Sequence, residues 1–289
     1  MPELPEVETV RRLLDAVVRG RTIRSVRLSG ARLRTPVSTT LPRRLRGRTL
    51  TRVGRHGKYL LIELDGGLTL LSHLGMSGRW LFYTEAPVRD LPHVHCQIRL
   101  TNGGQLWFQD PRRFGLLRLV RSDRLGTDPS LAILGPDPVA TPPTGPSLHA
   151  LGRTARLSVK SFLMDQRRIA GIGNIYASEI LHRARVDPRR HASGLRLAEW
   201  RAIAEQTVHV LREAIEHSGT TFSLYRTLCN EPGAYGDQLL VYDRACQPCR
   251  HCGAPIRRIV QGQRSTFFCP RCQGKVRGGS PPKKIWPRA

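Results

Sequence analysis

Met1-Pro2-Glu3-Leu4-Pro5-Glu6 opens the chain, and the reading of this stretch decides how the rest is organised. Pro2 is a small second residue, so removal of the initiator methionine is expected. That leaves a free secondary amine. An α-amino group titrates near pH 8, far below a lysine, so a sizeable fraction is neutral at pH 7. A neutral amine can attack an electrophilic carbon and form an imine. From a secondary amine the product is a cationic iminium, a good electron sink. Glu3 stands beside it as a candidate acid or base. Read locally, the same residues simply start a helix, with Pro5 at its first position and the acids complementing its dipole. Val7, Val10, Leu13, Leu14, Val17 and Val18 recur at helical spacing and Gly20 follows. This predicts a helix over 5–18 whose apolar stripe holds the N-terminus in place.

Outward from that helix, short β-rich runs follow at 22–28, 49–55, 59–64, 68–72, 96–100, 106–108 and 116–120. Turn residues such as Asp65-Gly66-Gly67 and Asn102-Gly103-Gly104 separate them. They suggest a β-sandwich or barrel-like domain. The stretch 121–147 is rich in Pro, Gly and Asp and reads as a linker. Helical patterns then dominate at 159–166, 176–184, 197–217 and 222–228. A short cysteine-rich module closes the folded part. The expected fold is α+β, in five parts. Residues 1–121 form an N-terminal β-sandwich domain with its helix, 122–147 the linker, and 148–244 a helical domain. A zinc hairpin spans 245–273 and a basic tail 274–289.

The chain has 289 residues and a formal net charge of +25, with 47 Lys and Arg against 22 Asp and Glu. Such an excess points to a polyanionic partner, most simply nucleic acid. Arginine outnumbers lysine, which suits bidentate phosphate and base-edge contacts. No apolar run reaches the roughly 18 residues of a membrane helix. There is no signal-peptide core, so a cytosolic protein without a membrane partner is expected. In that compartment seven cysteines argue for metal or free thiols rather than disulfides.

Cys249-x2-Cys252 and Cys269-x2-Cys272 are separated by 16 residues. This is the spacing of a tetrahedral four-cysteine Zn²⁺ site between two knuckles of a hairpin. No ligand position is left open, so one structural zinc is expected, folding a segment too small to hold a core by itself. Cys96, Cys229 and Cys246 are left as free thiols. The hairpin tip Gly262-Gln263-Arg264-Ser265-Thr266 could point Arg264 and two hydroxyls at a phosphate. Gly171-Ile172-Gly173-Asn174 joins two helical patterns through a glycine turn. The exposed N–H groups at such a helix start suit phosphate, and Asn174 could add a donor. Glycine also simply ends helices. His73-Leu74-Gly75-Met76-Ser77-Gly78 and Asp110-Pro111-Arg112-Arg113-Phe114-Gly115 read as loops capping strands. Met76 and Phe114 could be wedges that enter a base stack, or ordinary core residues. Lys58 could be a solvated lysine or could line a basic active-site mouth.

Together these stretches resemble the bacterial formamidopyrimidine-DNA glycosylases (8-oxoguanine DNA glycosylase/AP lyase), in the wider group that includes endonuclease VIII. The likeness runs from residue 1 to about 273. It is carried by MPELPEVET, GKYLL at Lys58, HLGMSG, DPRRFG, FLMDQ, GIGNIYASE and QRSTFFCPRC, in one order on one chain. It implies a bifunctional glycosylase and lyase of base excision repair. Such an enzyme flips out and excises oxidised purines (8-oxoguanine, formamidopyrimidines) and nicks the strand by β,δ-elimination. By this resemblance Pro2 is the nucleophile at C1′, Glu3 protonates the opening sugar and Glu6 supports the site. Lys58 assists β-elimination, and Arg264 contacts the flanking phosphate and assists δ-elimination. Asn174, on a helix–two-turns–helix motif, grips the DNA backbone with Arg156 and Lys160, and His93 contacts DNA. Met76, Arg112 and Phe114 fill the hole left by the extruded base. The implied partner is double-stranded DNA with oxidised bases or abasic sites, met by a monomer in the bacterial cytosol. Competing readings are an endonuclease-VIII-like enzyme for oxidised pyrimidines and a catalytically silent zinc DNA-binding protein. Val94 stands where the family often has Asp, which removes one expected support of its neighbouring histidines. The segment 227–235, where the family's lesion-covering loop lies, matches poorly.

Overall fold

The computed structural model describes residues 1–85, 87, 91–220 and 233–274. Helix α1 (Leu4–Val18) starts at a reciprocal cap, the Glu3 backbone N–H donating to Glu6 Oε2 at 2.7 Å. Its buried stripe serves two cores at once. Leu4 lies in the core of the helical half, whereas Val7, Val10, Leu14 and Val18 lie in the core of the sandwich. The helix therefore stitches the halves together, and the residues before it emerge at their junction.

The sandwich holds β1 (Ile23–Leu28), the short helix α2 (Leu41–Leu45), β2 (Leu50–His56), β3 (Tyr59–Leu64) and β4 (Leu68–His73). It continues with β5 (Arg79–Tyr83), β6 (Val94–Leu100), β7 (Gln105–Gln109) and β8 (Leu116–Arg121). Two four-stranded antiparallel sheets result, in the orders β1-β6-β7-β5 and β2-β3-β4-β8. The strands expected from sequence are all present, with ends moved by one or two residues. Two elements of the sandwich were not expected, nor was the helix over 145–152 that begins inside the expected linker. β5 is an aromatic run without alternation that pairs at the sheet edge with β7. α2 buries only Leu41 and Leu45, too few residues to show a period.

The Pro- and Gly-rich stretch after β8 is organised by two buried aspartates. Asp128 accepts from Arg118 and from the Ser130 N–H. Asp137 accepts from the N–H groups of Val139, Ala140 and Gly57. The helical half follows with α3 (Gly145–Gly152), α4 (Val159–Met164), α5 (Asn174–Arg183) and α6 (Leu197–Glu216), around Phe162, Tyr176 and Trp200. α4 stops short of the expected 166 because Asp165 takes the Arg167 N–H and turns the chain. The hairpin β9 (Arg257–Gln261) and β10 (Arg264–Phe268) closes the described part. Its turn, Gly262-Gln263, has both φ angles positive at 53° and 61°, the two-residue turn that matches strand twist. The helix expected at 222–228, Cys229, the tail from 275 and most of 227–235 lie outside the described residues. Among the described residues no helix is long and apolar enough to cross a membrane.

Candidate active site

The Met1 amino group stands within electrostatic reach of Glu3, Glu6, Lys58 and Arg112, and Pro2 beside it is buried. Burial pulls this amine below its ordinary pKa; Glu3 and Glu6 oppose the shift, and Lys58 and Arg112 add to it. Glu3 is 3% exposed, and its carboxylate caps a helix that lies 170 residues away in sequence. It accepts from the N–H groups of Gly173 at 2.8 Å, Ile175 at 3.0 Å and Tyr176 at 3.3 Å, the free donors at the start of α5. A Cβ on Gly173 would stand 2.3 Å from that carboxyl carbon, so only glycine admits Glu3 here. Glu6 repeats the arrangement one turn on. It accepts from Tyr176 Oη and from the Thr220 N–H at 2.8 Å, and a Cβ on Gly219 would come within 2.7 Å of it. Burial, then the neighbouring Glu3, pushes the Glu6 carboxyl above its usual range.

Lys58 is 6% exposed, and its Nζ donates to the Ile172 carbonyl at 3.1 Å. Burial lowers its pKa, with Arg264 adding to the shift while Glu3 and Glu6 oppose it. The turn that carries it is clamped. Asp137 takes the Gly57 N–H at 2.9 Å and pairs with Arg55, which also pairs with Glu8 of α1 at 3.0 Å. The mouth is thus built from α1, the β2–β3 turn, the glycine turn before α5 and the tip of the zinc hairpin.

Of two residues expected to grip DNA, Lys160 is buried and Asn174 half-buried, and both are bonded to the zinc hairpin. Lys160 is 1% exposed, and its Nζ donates to Asn174 Oδ1 at 2.6 Å, the Ser265 carbonyl at 2.9 Å and Thr266 Oγ1 at 2.7 Å. Asn174 Nδ2 donates to the same Ser265 carbonyl at 3.0 Å. Both side chains dock the hairpin onto α5. The α5 N–H groups expected to hold phosphate are occupied by Glu3. Thr266 is fully buried against Lys160, and Ser265 Oγ accepts from Arg258 at 3.1 Å. Only Arg264 of the expected tip trio remains directed outward, exposed at the first position of β10.

Cys249, Cys252, Cys269 and Cys272 bring all four sulfurs within 4.8 Å of one another. The Sγ–Sγ distances of 3.9 Å for Cys249–Cys272 and 3.4 Å for Cys252–Cys269 bracket the edge of a Zn–S₄ tetrahedron, about 3.8 Å for bonds of about 2.3 Å. The donor set fits one structural zinc. His182 Nε2 of α5 lies 3.6 Å from Cys249 Sγ, and Glu179 of α5 accepts from the N–H groups of Leu240, Val241 and Tyr242. α5 therefore meets α1 at one end and the zinc module along its length. Cys96 is buried and Cys246 exposed, both as free thiols.

The two loops bearing Met76, Arg112 and Phe114 are held by Asp110, which is fully buried. It accepts from Ser77 Oγ at 2.6 Å and from the Gly115 N–H at 2.7 Å. Ser77 Oγ in turn accepts from the Arg112 N–H at 3.1 Å. At the tips Met76 is 37% exposed and Phe114 46% exposed, which removes the core reading of both. The Arg112 guanidinium lies over the Phe114 ring at 5.0 Å. His93 is exposed with φ of 63°, and Arg156 is exposed, its carbonyl accepting from His191. His95 is supported by Ser29 Oγ at 3.1 Å and the Asp110 carbonyl at 3.0 Å, so position 94 is not what holds it. Sequence reasoning missed Asp137, Tyr176, Glu179 and Gly219. The one signal for two of them was their place in the GIGNIYASE run.

Residues 1–117 match the formamidopyrimidine-DNA glycosylase N-terminal domain, 134–226 the formamidopyrimidine-DNA glycosylase H2TH domain, and 247–274 the zinc finger found in FPG and IleRS. The chain is 46% identical over 273 residues to the formamidopyrimidine-DNA glycosylase of Methylococcus capsulatus, covering 94% of this chain and 100% of that protein. The MutM (Fpg) protein of Thermus thermophilus superposes with a TM-score of 0.84 at 40% identity, covering 95% of this chain and 99% of that one. Lactococcus lactis Fpg (MutM), solved with a FAPY-dG containing DNA, gives a TM-score of 0.86 at 31% identity, covering 94% and 100%.

Proposed function

The chain belongs to the formamidopyrimidine-DNA glycosylase family, and from that membership we propose that it excises oxidised purines from duplex DNA through a Schiff base on Pro2 and then nicks the strand by β,δ-elimination. The observation that carries the reading is that the buried Pro2, Glu3, Glu6 and Lys58 are gathered around the turn at 172–176, Lys58 bonded to the Ile172 carbonyl and Glu3 to the N–H groups that follow, with the Met1 amine in reach of all three charges. With Met1 removed, the neutral Pro2 nitrogen attacks C1′ and the bond to the base breaks, the sugar ring opening as Glu3 transfers a proton to its oxygen. The resulting iminium acidifies the C2′ proton. Loss of that proton expels the 3′ phosphate, and a second elimination expels the 5′ phosphate. Lys58 assists the first elimination from its bond to Ile172. Arg264 neutralises the departing phosphate in the second. Zinc, when bound, supplies no reacting atom; Cys249, Cys252, Cys269 and Cys272 would hold it so that β10 keeps Arg264 over the crevice.

An enzyme that works on a base inside a duplex must extrude it, at a cost of a few kcal/mol. Met76 and Phe114, exposed on loops anchored by Asp110, suit the wedge that offsets this cost. Arg112 between them suits contact with the orphaned base. Borohydride reduction on a panel of lesion duplexes is the test. Trapping on 8-oxoguanine duplex, with the adduct mapped to the Pro2 peptide, is the expected result. An adduct on Lys58 overturns the nucleophile, trapping only on oxidised pyrimidines overturns the lesion class, and no trapping at all leaves a silent DNA-binding protein.

A further inference from the structure

At the end of the sandwich away from the crevice lies a second basic site. Lys58 precedes β3, and β3 runs from Tyr59, paired with His73, to Leu64, paired with Leu68, at the far edge of the sheet. Six residues of strand span roughly 20 Å. At that far edge a concave cavity of about 560 Å³ is lined by Arg43, Arg44, Arg46, Arg48 and Arg121 around the Gly66-Gly67 turn, with Asp123 as its acidic residue.

The fold builds this cluster rather than merely tolerating it. Leu41 and Leu45 are buried one helical turn apart, which leaves Arg43, Arg44 and Arg46 facing out. The backbone beneath them is pinned: Gly47 N–H donates to the Ile23 carbonyl at 2.8 Å and Ile23 N–H to the Arg48 carbonyl at 2.8 Å. Arg121 ends β8 opposite Leu68, and Ser122 N–H ties it to the Gly67 carbonyl at 2.8 Å. A Cβ at Gly66 would stand 2.3 Å from Arg48 Nη1, so the glycine turn admits that guanidinium to the cavity. Charge is left over. Asp123 is already bound by Arg121 at 2.6 Å, and Asp65 lies 3.6 Å from Arg48. Among the described residues Arg43, Arg44 and Arg46 have no acidic partner within ion-pair distance.

We propose that this cavity is a second DNA-backbone site, which holds a second stretch of duplex while the first lies across the catalytic crevice. Its ligand chemistry is phosphodiester. Guanidinium forks match phosphate oxygens in bidentate geometry, and the lining offers little apolar surface beyond Leu68 for any other ligand class. The assignment of duplex rests on the family's DNA substrate, and the cavity's place at the end of β3 remote from Lys58 makes it a site separate from the crevice. A protein with two such surfaces passes from one DNA segment to another without first releasing either, which shortens a search for rare lesions.

The test uses the full-length protein and an undamaged duplex of about 12 base pairs, long enough for several phosphate contacts. Stoichiometric titration should give two duplexes per chain for the wild type and one for R43E/R44E/R46E, whose stability is checked by thermal melting. The triple lysine variant R43K/R44K/R46K should keep the second duplex. With the crevice filled covalently by a borohydride-trapped lesion duplex, the wild type should still bind a labelled second duplex. The triple glutamate variant should bind it at least about tenfold more weakly, with the slope of log affinity against log salt reduced by roughly three. A wild-type count of one overturns the proposal. So does an equal loss in R24E/R27E/R99E, exposed arginines on the other sheet, since net charge alone would then explain it. Failure of trapping would instead strike the Schiff-base reading and leave the duplex count standing.

Discussion

Two glycine-bearing regions of this protein face opposite ways. The turn before α5 directs its polar groups inward. Glu3 takes three N–H groups of the helix start, and Lys160 and Asn174 are used up on β10. The loops at 73–78 and 110–115 direct apolar and cationic tips outward, with Met76, Arg112 and Phe114 exposed above a buried Asp110. From sequence both regions looked equally suited to touch DNA. The difference separates side chains whose bonds are made within the protein from side chains left exposed. A buried charge with every bond satisfied is costly to disturb, so the first region should fail as a unit. The exposed tip side chains make no buried bond, their described contact being Arg112 over Phe114, so each should fail largely by itself.

The largest effect is expected at the inward region. Gly173→Ala drives a methyl group into the Glu3 carboxylate. Overpacking of this kind costs roughly 1–3 kcal/mol of stability. Displacing Glu3 should lower single-turnover excision by about a hundredfold, close to 2.7 kcal/mol in the barrier. Near-normal excision would mean that Glu3 does not need its seat on α5. Next comes the metal. Chelation or Cys252→Ser should weaken lesion-duplex binding by an order of magnitude or more, because a structural zinc contributes folding energy outright. Fluorescence from the sandwich tryptophans, Trp80 and Trp107, should stay unchanged; a collapse of both signals would show that the hairpin and sandwich fold together.

Lys160→Met should follow. It removes a donor from the half-buried Asn174 Oδ1 and leaves the buried Thr266 Oγ1 unpaired, the latter at roughly 1–3 kcal/mol. Nicked products should shift from δ- toward β-elimination, since Arg264 loses its support. The wild type should show the same shift with pH. Burial brings Lys160 down to about 8, Glu3 opposing and Arg264 adding. Above that pH the folded amine has two N–H donors for three acceptors, so the δ/β ratio should fall through pH 8 and stay flat in Lys160→Met. Stability carries the opposite sign. Between pH 8 and about 10.4 the unfolded lysine keeps a proton that the folded one has shed, so this residue's contribution rises with pH in that window.

The outward loops should give smaller and separable effects. An arginine in the vacated space presents donors to cytosine O2 and N3, whereas adenine also offers an amino donor that arginine cannot satisfy. Arg112→Ala should therefore lose most of the preference for a lesion opposite cytosine, about 1–3 kcal/mol or ten- to hundredfold. Phe114→Ala should slow both duplexes alike, and an unchanged cytosine-to-adenine ratio in Arg112→Ala would assign the reading elsewhere. The smallest effect is expected from Val94→Asp. His95 already has Ser29 and the Asp110 carbonyl, so binding and melting should move by no more than about 0.5 kcal/mol.

What the sequence by itself determined is what depends on local period and covalent order. The stripe of α1, the alternation in β3, the paired Cys-x2-Cys knuckles and the turn residues between strands are each set within a few positions. They were legible for that reason. The motifs also carried the family. Tertiary structure alone decided which polar groups remain available. Lys160 and Lys58 are both lysines beside small or apolar residues, and only the approach of β10, 105 residues on, turns one of them into a latch. Glu3 caps a helix that it could not be known to meet, because the gap that admits it is a missing Cβ on Gly173. Hydrogen-bond satisfaction is a property of three-dimensional neighbours. The same residue type serves as a strut or a contact according to whether folding has already supplied its partners.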